Sequence, residues 1–96
     1  MYTVVSHYHL NIPVDQIQPK FEEGIPTISA MQGFQGVHLI KNANDRATII
    51  LFWDNASDAE NAAKLLGPTW LAANIMPHLA SPQDRSAGEV IIRHQK

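Results

Sequence analysis

Hydrophobic and polar positions change their spacing several times along the chain, and each change predicts a new element. Valine, tyrosine and threonine dominate Tyr2–Leu10, which is typical of a strand. After Pro13, apolar residues recur every three or four positions, which predicts a helix over Val14–Met31 with Asp15 as its N-terminal cap. Pro26 lies inside this range and is expected to kink the helix, because it lacks a backbone N–H.

A hairpin and a second helix are predicted next. Phe34–Lys41 and Arg46–Asp54 have the composition of strands, and the Asn-Ala-Asn-Asp sequence between them favours a turn. Ser57-Asp58-Ala59-Glu60 has the spacing of a capping box, so the second helix is expected to begin at Ser57 and to run through Leu66.

The last third of the chain contains an interruption and one more predicted strand. Gly67-Pro68 ends the second helix, and Pro68 can open a shorter helix over Thr69–His78. Ser81–Ala87 is then predicted to be a loop, and Glu89–His94 the last strand.

This order, βαββαβ, predicts one ferredoxin-like α+β domain over residues 1–96, with a four-stranded antiparallel sheet and both helices on one face. Thr48–Trp53 and Val90–Ile92 show no polar alternation, which indicates strands that are apolar on both faces. The two helices can cover one face only, and a bare second face would be an unusually large apolar patch. We therefore expect a homodimer in which two sheets pack face to face.

Composition and charge exclude several classes of function. The chain has no cysteine, which excludes disulfides, thiolate zinc sites and thiol catalysis. The net charge is -2 and no basic cluster occurs, so no nucleic-acid partner is expected. No apolar stretch approaches the roughly 18 residues needed to span a bilayer, and no secretion signal is visible. These features predict a cytoplasmic protein without a membrane partner.

Four short motifs suggest a family. They are Phe21 in the first helix, Met31-Gln32-Gly33-Phe34 before the second strand, Trp53-Asp54 at the end of the third strand, and Ser57-Asp58-Ala59 at the second helix. In these motifs the chain resembles the antibiotic-biosynthesis monooxygenase-like family of dimeric α/β barrels. That superfamily includes cofactor-independent oxygenases acting on quinols and polycyclic anthrones, haem-degrading enzymes and polyketide cyclases. The resemblance thus implies a dimeric α/β barrel and leaves the reaction open.

The chain departs from the haem-degrading branch of the family. That branch has an asparagine on the first strand, where this chain carries His7 and His9. Trp70 and His78 lie beyond the Gly67-Pro68 break and at a different spacing from the tryptophan and histidine of that branch. We therefore expect neither haem nor another cofactor.

Histidines are the candidate catalytic bases, because imidazole exchanges a proton near neutral pH. His7 and His9 share one face of the first strand, His38 lies on the second strand, and His78 lies near the end of the last helical segment. We interpret at least one of them as lining a pocket between sheet and helices, although each could instead be a structural, hydrogen-bonded histidine. His7 and His9 could also bind a metal, but that needs a third ligand such as His38 or Glu89, and no metal is expected.

Large apolar side chains are the candidate walls of that pocket: Tyr8, Phe52, Trp53, Trp70 and Met76. Packing in the core is the alternative role for each. Together with the resemblance, they favour a cofactor-independent monooxygenase acting on a small aromatic or quinone-type compound. A polyketide cyclase or isomerase, and a non-catalytic homodimer that binds a hydrophobic metabolite, stay open as alternatives.

Overall fold

Strands and helices follow one another in the predicted order over residues 1–95, which the computed structural model describes. Lys96, the last residue of the predicted domain, lies outside this range. The main elements are β1 (Tyr2–His9), α1 (Val14–Ser29), β2 (Phe34–Ala43), β3 (Arg46–Trp53), α2 (Ala56–Leu66) and β4 (Asp84–Glu89). Between α2 and β4 lie a π-helical turn, one turn of α-helix and a 3-10 turn, at Gly67–Leu71, Ala72–Asn74 and Met76–His78. Within residues 1–95, no helix is long and apolar enough to cross a membrane.

The four strands form one antiparallel sheet in the order β2-β3-β1-β4. β1 is central and hydrogen-bonds on both sides, so that Val4 lies opposite Leu51 of β3 and Ala87 of β4. Both helices pack on the same side of the sheet: Ile17 of α1 contacts the cluster around Tyr8, and Ala62 of α2 packs with Val4. The predicted ferredoxin-like α+β fold is confirmed.

Alternation along the strands decides which side chains reach the core. Even-numbered residues of β1 and odd-numbered residues of β3 share one face of the sheet, because Val4 pairs with Leu51 and Ser6 with Ile49. This face is turned toward the helices, since Val4 packs with Ala62 of α2. Trp53, at the end of β3, is 1% exposed and is the most completely buried large side chain of the described residues. The core therefore lies between this side of the sheet and the two helices.

The opposite side of the sheet, here called the outer face, has no helix on it. It carries the odd-numbered residues of β1 and the even-numbered residues of β3, together with alternate residues of β2: Thr3, Val5, His7, His9, Thr48, Ile50, Phe52, His38 and Ile40. Val5, Ile50 and Phe52 at its centre are half-buried, whereas His7 and His38 are exposed. The outer face thus has an apolar centre, formed by one residue of β1 and two of β3, with histidines and threonines around it.

The helix ends differ from the prediction in three places. Asp15 does not cap α1, because it lies within the first turn and no side chain caps this helix. α1 ends at Ser29 rather than at Met31. Asn55, rather than Ser57, caps α2: its Oδ1 accepts a hydrogen bond of 2.9 Å from the backbone N–H of Asp58. Asparagine caps helices as well as serine does, so the earlier residue takes the position.

The prediction of the last strand is wrong. β4 spans Asp84–Glu89, inside the segment predicted to be a loop, and the predicted strand Glu89–His94 is not formed. Pairing ends where Val90 donates a hydrogen bond of 2.9 Å to the carbonyl of Met1, and Ile91 is 88% exposed. β4 is polar because it is an edge strand that pairs only with β1, and edge strands tolerate polar residues.

Candidate functional site

A cavity of about 210 Å³ lies between the helix-facing side of the sheet and the helices. Most of its lining is apolar, and the larger side chains in it are Phe21, Ile28, Leu51, Trp53, Trp70 and Met76. An apolar cavity of about 150 Å³ is large enough to bind benzene. This cavity exceeds that volume and can therefore hold an aromatic compound of more than one ring.

Polar side chains reach the cavity from one wall. Ser6 and Tyr8 come from β1, while Gln83 precedes β4 and Arg85 lies on it. Ser6 and Arg85 are direct partners across the two strands, and residues two apart on a strand share a face. These four residues form what we call the polar edge of the cavity.

The polar edge contains one cation, one buried phenol and one unused acceptor. Burial raises the pKa of the Tyr8 hydroxyl above its ordinary value of 10.0, while the Ser6 hydroxyl and the charge of Arg85 act in the opposite direction. Tyr8 is therefore protonated at neutral pH and can donate a hydrogen bond. Gln83 Oε1 is buried and has no hydrogen-bond partner in the described residues.

Trp70 lines the cavity and lies in a distorted stretch of helix. Its ring meets Phe21 edge to face, with centroids 5.7 Å apart and planes at 82°. The stretch Gly67–Leu71 is a π-helical turn, a rare geometry that often occurs at functional sites. Pro68 favours this distortion, because it has no N–H for the α-helical ladder. Gly24 of α1 allows Trp70 to approach, since a Cβ there would lie 2.7 Å from Trp70 Nε1.

None of the histidines in residues 1–95 belongs to the cavity lining. His7, His9 and His38 lie on the outer face, and His78 lies in the 3-10 turn before β4. The expectation that a histidine lines the cavity is therefore wrong for this subunit. A catalytic role for these residues stays a prediction without this geometric support.

The histidines of β1 have partners of their own. His7 Nδ1 lies 2.9 Å from Thr48 Oγ1, and Thr48 Oγ1 donates to Asn42 Oδ1 at 2.6 Å. A hydroxyl has one proton, so His7 Nδ1 must be the donor to Thr48. His9 Nε2 lies 3.2 Å from Asp45 Oδ2. Residues 1–95 contain no group of three or more His, Cys, Asp or Glu side chains arranged to hold a metal.

Four of the five predicted wall residues line the cavity: Tyr8, Trp53, Trp70 and Met76. The fifth, Phe52, lies on the outer face, where its ring meets His38 edge to face at a centroid distance of 6.1 Å. This placement corrects the prediction for Phe52.

Three polar lining residues were not predicted from the sequence: Ser6, Gln83 and Arg85. Gln83 and Arg85 fell in a predicted loop, for which no side-chain direction could be assigned. No signal in the sequence marked these two positions, because Gln83, Asp84 and Arg85 are all polar and show no strand alternation.

No family model matches the chain, and no curated protein matches its sequence. Solved structures do match it along almost its whole length. SnoaB, a cofactor-independent oxygenase from Streptomyces nogalater, has a TM-score of 0.81 at 12% identity, covering 99% of this chain and 97% of its own. An antibiotic biosynthesis monooxygenase has a TM-score of 0.78 at 14% identity, covering 96% and 100%.

A third structure is a variant of MhuD with two manganese protoporphyrin IX molecules bound per active site. Its TM-score is 0.75 at 13% identity, with 100% of both chains covered. Identities this low establish the fold and leave the reaction open. The chain has the ferredoxin-like α+β fold of the antibiotic-biosynthesis monooxygenase-like proteins, as its sequence motifs predicted.

Proposed function

We propose that this protein binds a small aromatic or quinone-type compound in the cavity and oxygenates it without a dedicated cofactor. The observation that carries the proposal is the cavity itself, which combines apolar walls with a single polar edge. Such a site suits a flat ligand that has polar atoms along one side. The similarity in fold to SnoaB, a cofactor-independent oxygenase, supports the reaction class.

The proposed reaction uses the ligand as its own reductant. An acidic methylene between carbonyl and aromatic groups loses a proton, and the carbanion adds to O₂ to give a peroxide. Protonation of the peroxide and loss of water leave a carbonyl. In total, one CH₂ group and one O₂ give one C=O group and one H₂O, so no external electron donor is needed.

The cavity residues would bind the ligand, orient it and stabilise its anion. Trp53 and Trp70 provide flat surfaces against the rings. Tyr8, which is protonated at neutral pH, donates a hydrogen bond to the oxygen on which negative charge develops. The proton leaves toward solvent beside Arg85, which is exposed on the edge strand.

Oxygen uptake tests the proposal. With anthrone as substrate, we expect the protein to raise O₂ uptake above the spontaneous rate and to form one anthraquinone for each O₂ consumed. Ile28→Trp fills the cavity and should abolish this increase. Leu65→Trp adds the same ring at a position that is 60% exposed and outside the lining, and should leave the rate unchanged. Uptake equal to the spontaneous rate, with anthrone bound, would contradict the proposal.

A non-catalytic binding protein is the second candidate, because no histidine of residues 1–95 lines the cavity to act as a base. This function predicts saturable quenching of the fluorescence of Trp53 and Trp70, with neither O₂ consumption nor conversion of the ligand. Recovery of unchanged anthrone after prolonged aerobic incubation would support it.

We also propose that two subunits pack through their outer faces and form the dimeric α/β barrel. Val5, Ile50 and Phe52 give this face an apolar centre that the subunit's own helices leave uncovered. Burying several hundred Å² of such surface per subunit, at about 25 cal/mol per Å², contributes on the order of 10 kcal/mol before association costs.

Sedimentation measures the number of subunits. The unchanged protein should sediment as a dimer at micromolar concentration. Ile50→Asp, which puts a charge at the centre of the outer face, should give folded monomers, while Leu65→Asp on α2 should remain dimeric. A folded, monomeric unchanged protein at that concentration is the result that would rule out this assembly.

A further inference from the structure

Arg85 brings a positive charge to a cavity whose other lining residues are uncharged at neutral pH. Among the described residues, Lys41 forms an ion pair with Asp15 and His9 lies in hydrogen-bond distance of Asp45, and Arg85 takes part in neither contact. Tyr8 and Arg85 are the titratable side chains of the lining, and the residues that α1 and α2 contribute to it are uncharged. The charge of Arg85 is therefore available to an anionic group of a ligand.

Gln83 adds an acceptor beside this cation. Its Oε1 is buried without a hydrogen-bond partner in residues 1–95, and a buried polar atom of this kind is rare and costs free energy. Gln83 and Arg85 lie two residues apart at the β4 edge and both line the cavity. The terminal torsion of glutamine is broad, so the amide can turn toward a ligand at low cost.

We infer that Arg85 and Gln83 together bind an aromatic compound with an ionised oxygen next to a neutral hydroxyl group. Arg85 would donate to the ionised oxygen, and the neighbouring hydroxyl would donate to Gln83 Oε1. This inference rests on the proposed function, because it assigns a chemical class to the ligand of the same cavity. It makes Arg85 and Gln83 the residues that determine which aromatic compounds bind.

The pKa of a phenol bound in the cavity shows whether its oxygen contacts Arg85 or only apolar residues. An apolar cavity alone disfavours the phenolate and raises the pKa of a phenol, as burial does for Tyr8. A cation within a few ångströms of the oxygen lowers that pKa, typically by one unit or more. A lowered pKa of the bound ligand would therefore report contact with Arg85.

The first experiment uses 4-nitrophenol, whose anion absorbs visible light. We expect the pKa of the bound compound to lie about one unit below that of the free compound in the unchanged protein. Arg85→Gln should remove this lowering or reverse it. Arg93→Gln changes an exposed arginine outside the cavity and should keep the lowering. A raised pKa for 4-nitrophenol bound to the unchanged protein would overturn the role of Arg85.

The second experiment compares 4-nitrophenol with 4-nitrocatechol, which has an additional hydroxyl next to the ionised one. The unchanged protein should bind 4-nitrocatechol about tenfold more tightly, because the extra hydroxyl satisfies Gln83. Gln83→Met keeps the length of the side chain, removes the acceptor and should make the two affinities equal. The pKa of bound 4-nitrophenol should be the same in this variant as in the unchanged protein.

The outcomes separate this inference from the proposed function. Equal affinity of the unchanged protein for the two compounds would contradict the role of Gln83 and leave the cavity as a binding site. Binding of neither compound, measured by quenching of Trp53 and Trp70, would contradict the cavity as an aromatic site and the inference with it.

Discussion

Gly24→Ala tests whether the cavity depends on the close approach of α1 to Trp70. The added Cβ would lie 2.7 Å from Trp70 Nε1, and 3.2 and 3.3 Å from two further atoms of the ring. Ordinary contacts begin near 3.4 Å, so the indole has to move by more than half an ångström. It would then lose part of its edge-to-face contact with Phe21, which lies 5.7 Å away between ring centroids.

Two effects of opposite sign decide the stability of this variant. Alanine in place of glycine inside a helix stabilises by about 0.5–1 kcal/mol. Overpacking costs about 1–3 kcal/mol, which includes part of an aromatic pair worth about 0.5–1.5 kcal/mol. Since the clash is with a large ring rather than with a flexible chain end, overpacking should win, and Gly24→Ala should lower the free energy of unfolding by about 1 kcal/mol.

Urea denaturation followed by circular dichroism measures this difference at one fixed protein concentration, which matters if subunits associate. Gly67→Ala is the matched control, because Gly67 has helical dihedral angles and nothing within 4 Å of its added Cβ. This control should stabilise by about 0.5–1 kcal/mol. If Gly24→Ala stabilised the protein as much as Gly67→Ala does, the reasoning about Trp70 would be refuted.

Three other predictions concern a turn, a buried phenol and the C-terminal segment. Gly33→Ala should destabilise by about 2–4 kcal/mol in urea denaturation, because Gly33 has φ +79 and its Cβ would collide with Asp58, and an unchanged midpoint would contradict this. Burial in the folded protein raises the pKa of Tyr8. The contribution of this neutral phenol to the free energy of unfolding is therefore complete below pH 10 and is lost as pH rises through the folded-state pKa. Stability should therefore fall above about pH 10, and less steeply in Tyr8→Phe. Deleting residues 91–96 should change the stability of the isolated subunit by less than about 1 kcal/mol, because Ile91 is 88% exposed; a larger loss in a folded monomer would show missing contacts.

The hairpin and the two helices were predictable because their signals are local. β2 and β3 have β-branched and apolar composition on both sides of a turn, and α1 has apolar residues at helical spacing. These patterns need no knowledge of distant residues. One antiparallel sheet with both helices on the same face was predictable from handedness, which restricts a βαββαβ chain to few arrangements.

β4 could not be recognised in this way, because its pairing partner provides the signal. Asp84–Glu89 has no apolar alternation and is a strand because β1 offers backbone donors and acceptors along its length. Val90–Ile92 has the composition of a strand, but the ladder of residue pairs with β1 stops at Glu89. The expectation of an apolar outer face was based on two apolar stretches. Since Val90–Ile92 is not part of the sheet, only Thr48–Trp53 of β3 supports it.

Side chains alternate between the two faces along β1, and this alternation, which follows from the sequence numbers alone, determines on which face the histidines lie. Tyr8 was expected to face the cavity together with His7 or His9, yet neighbours on a strand point to opposite faces. Once β1 is a regular strand, a cavity that contains Tyr8 excludes both histidines and includes Ser6. The buried Val4 shares the parity of Tyr8, which places the even positions of β1 on the side of the sheet that faces the helices. Chemistry in this cavity therefore has to be sought in hydroxyl, amide and guanidinium groups rather than in imidazole.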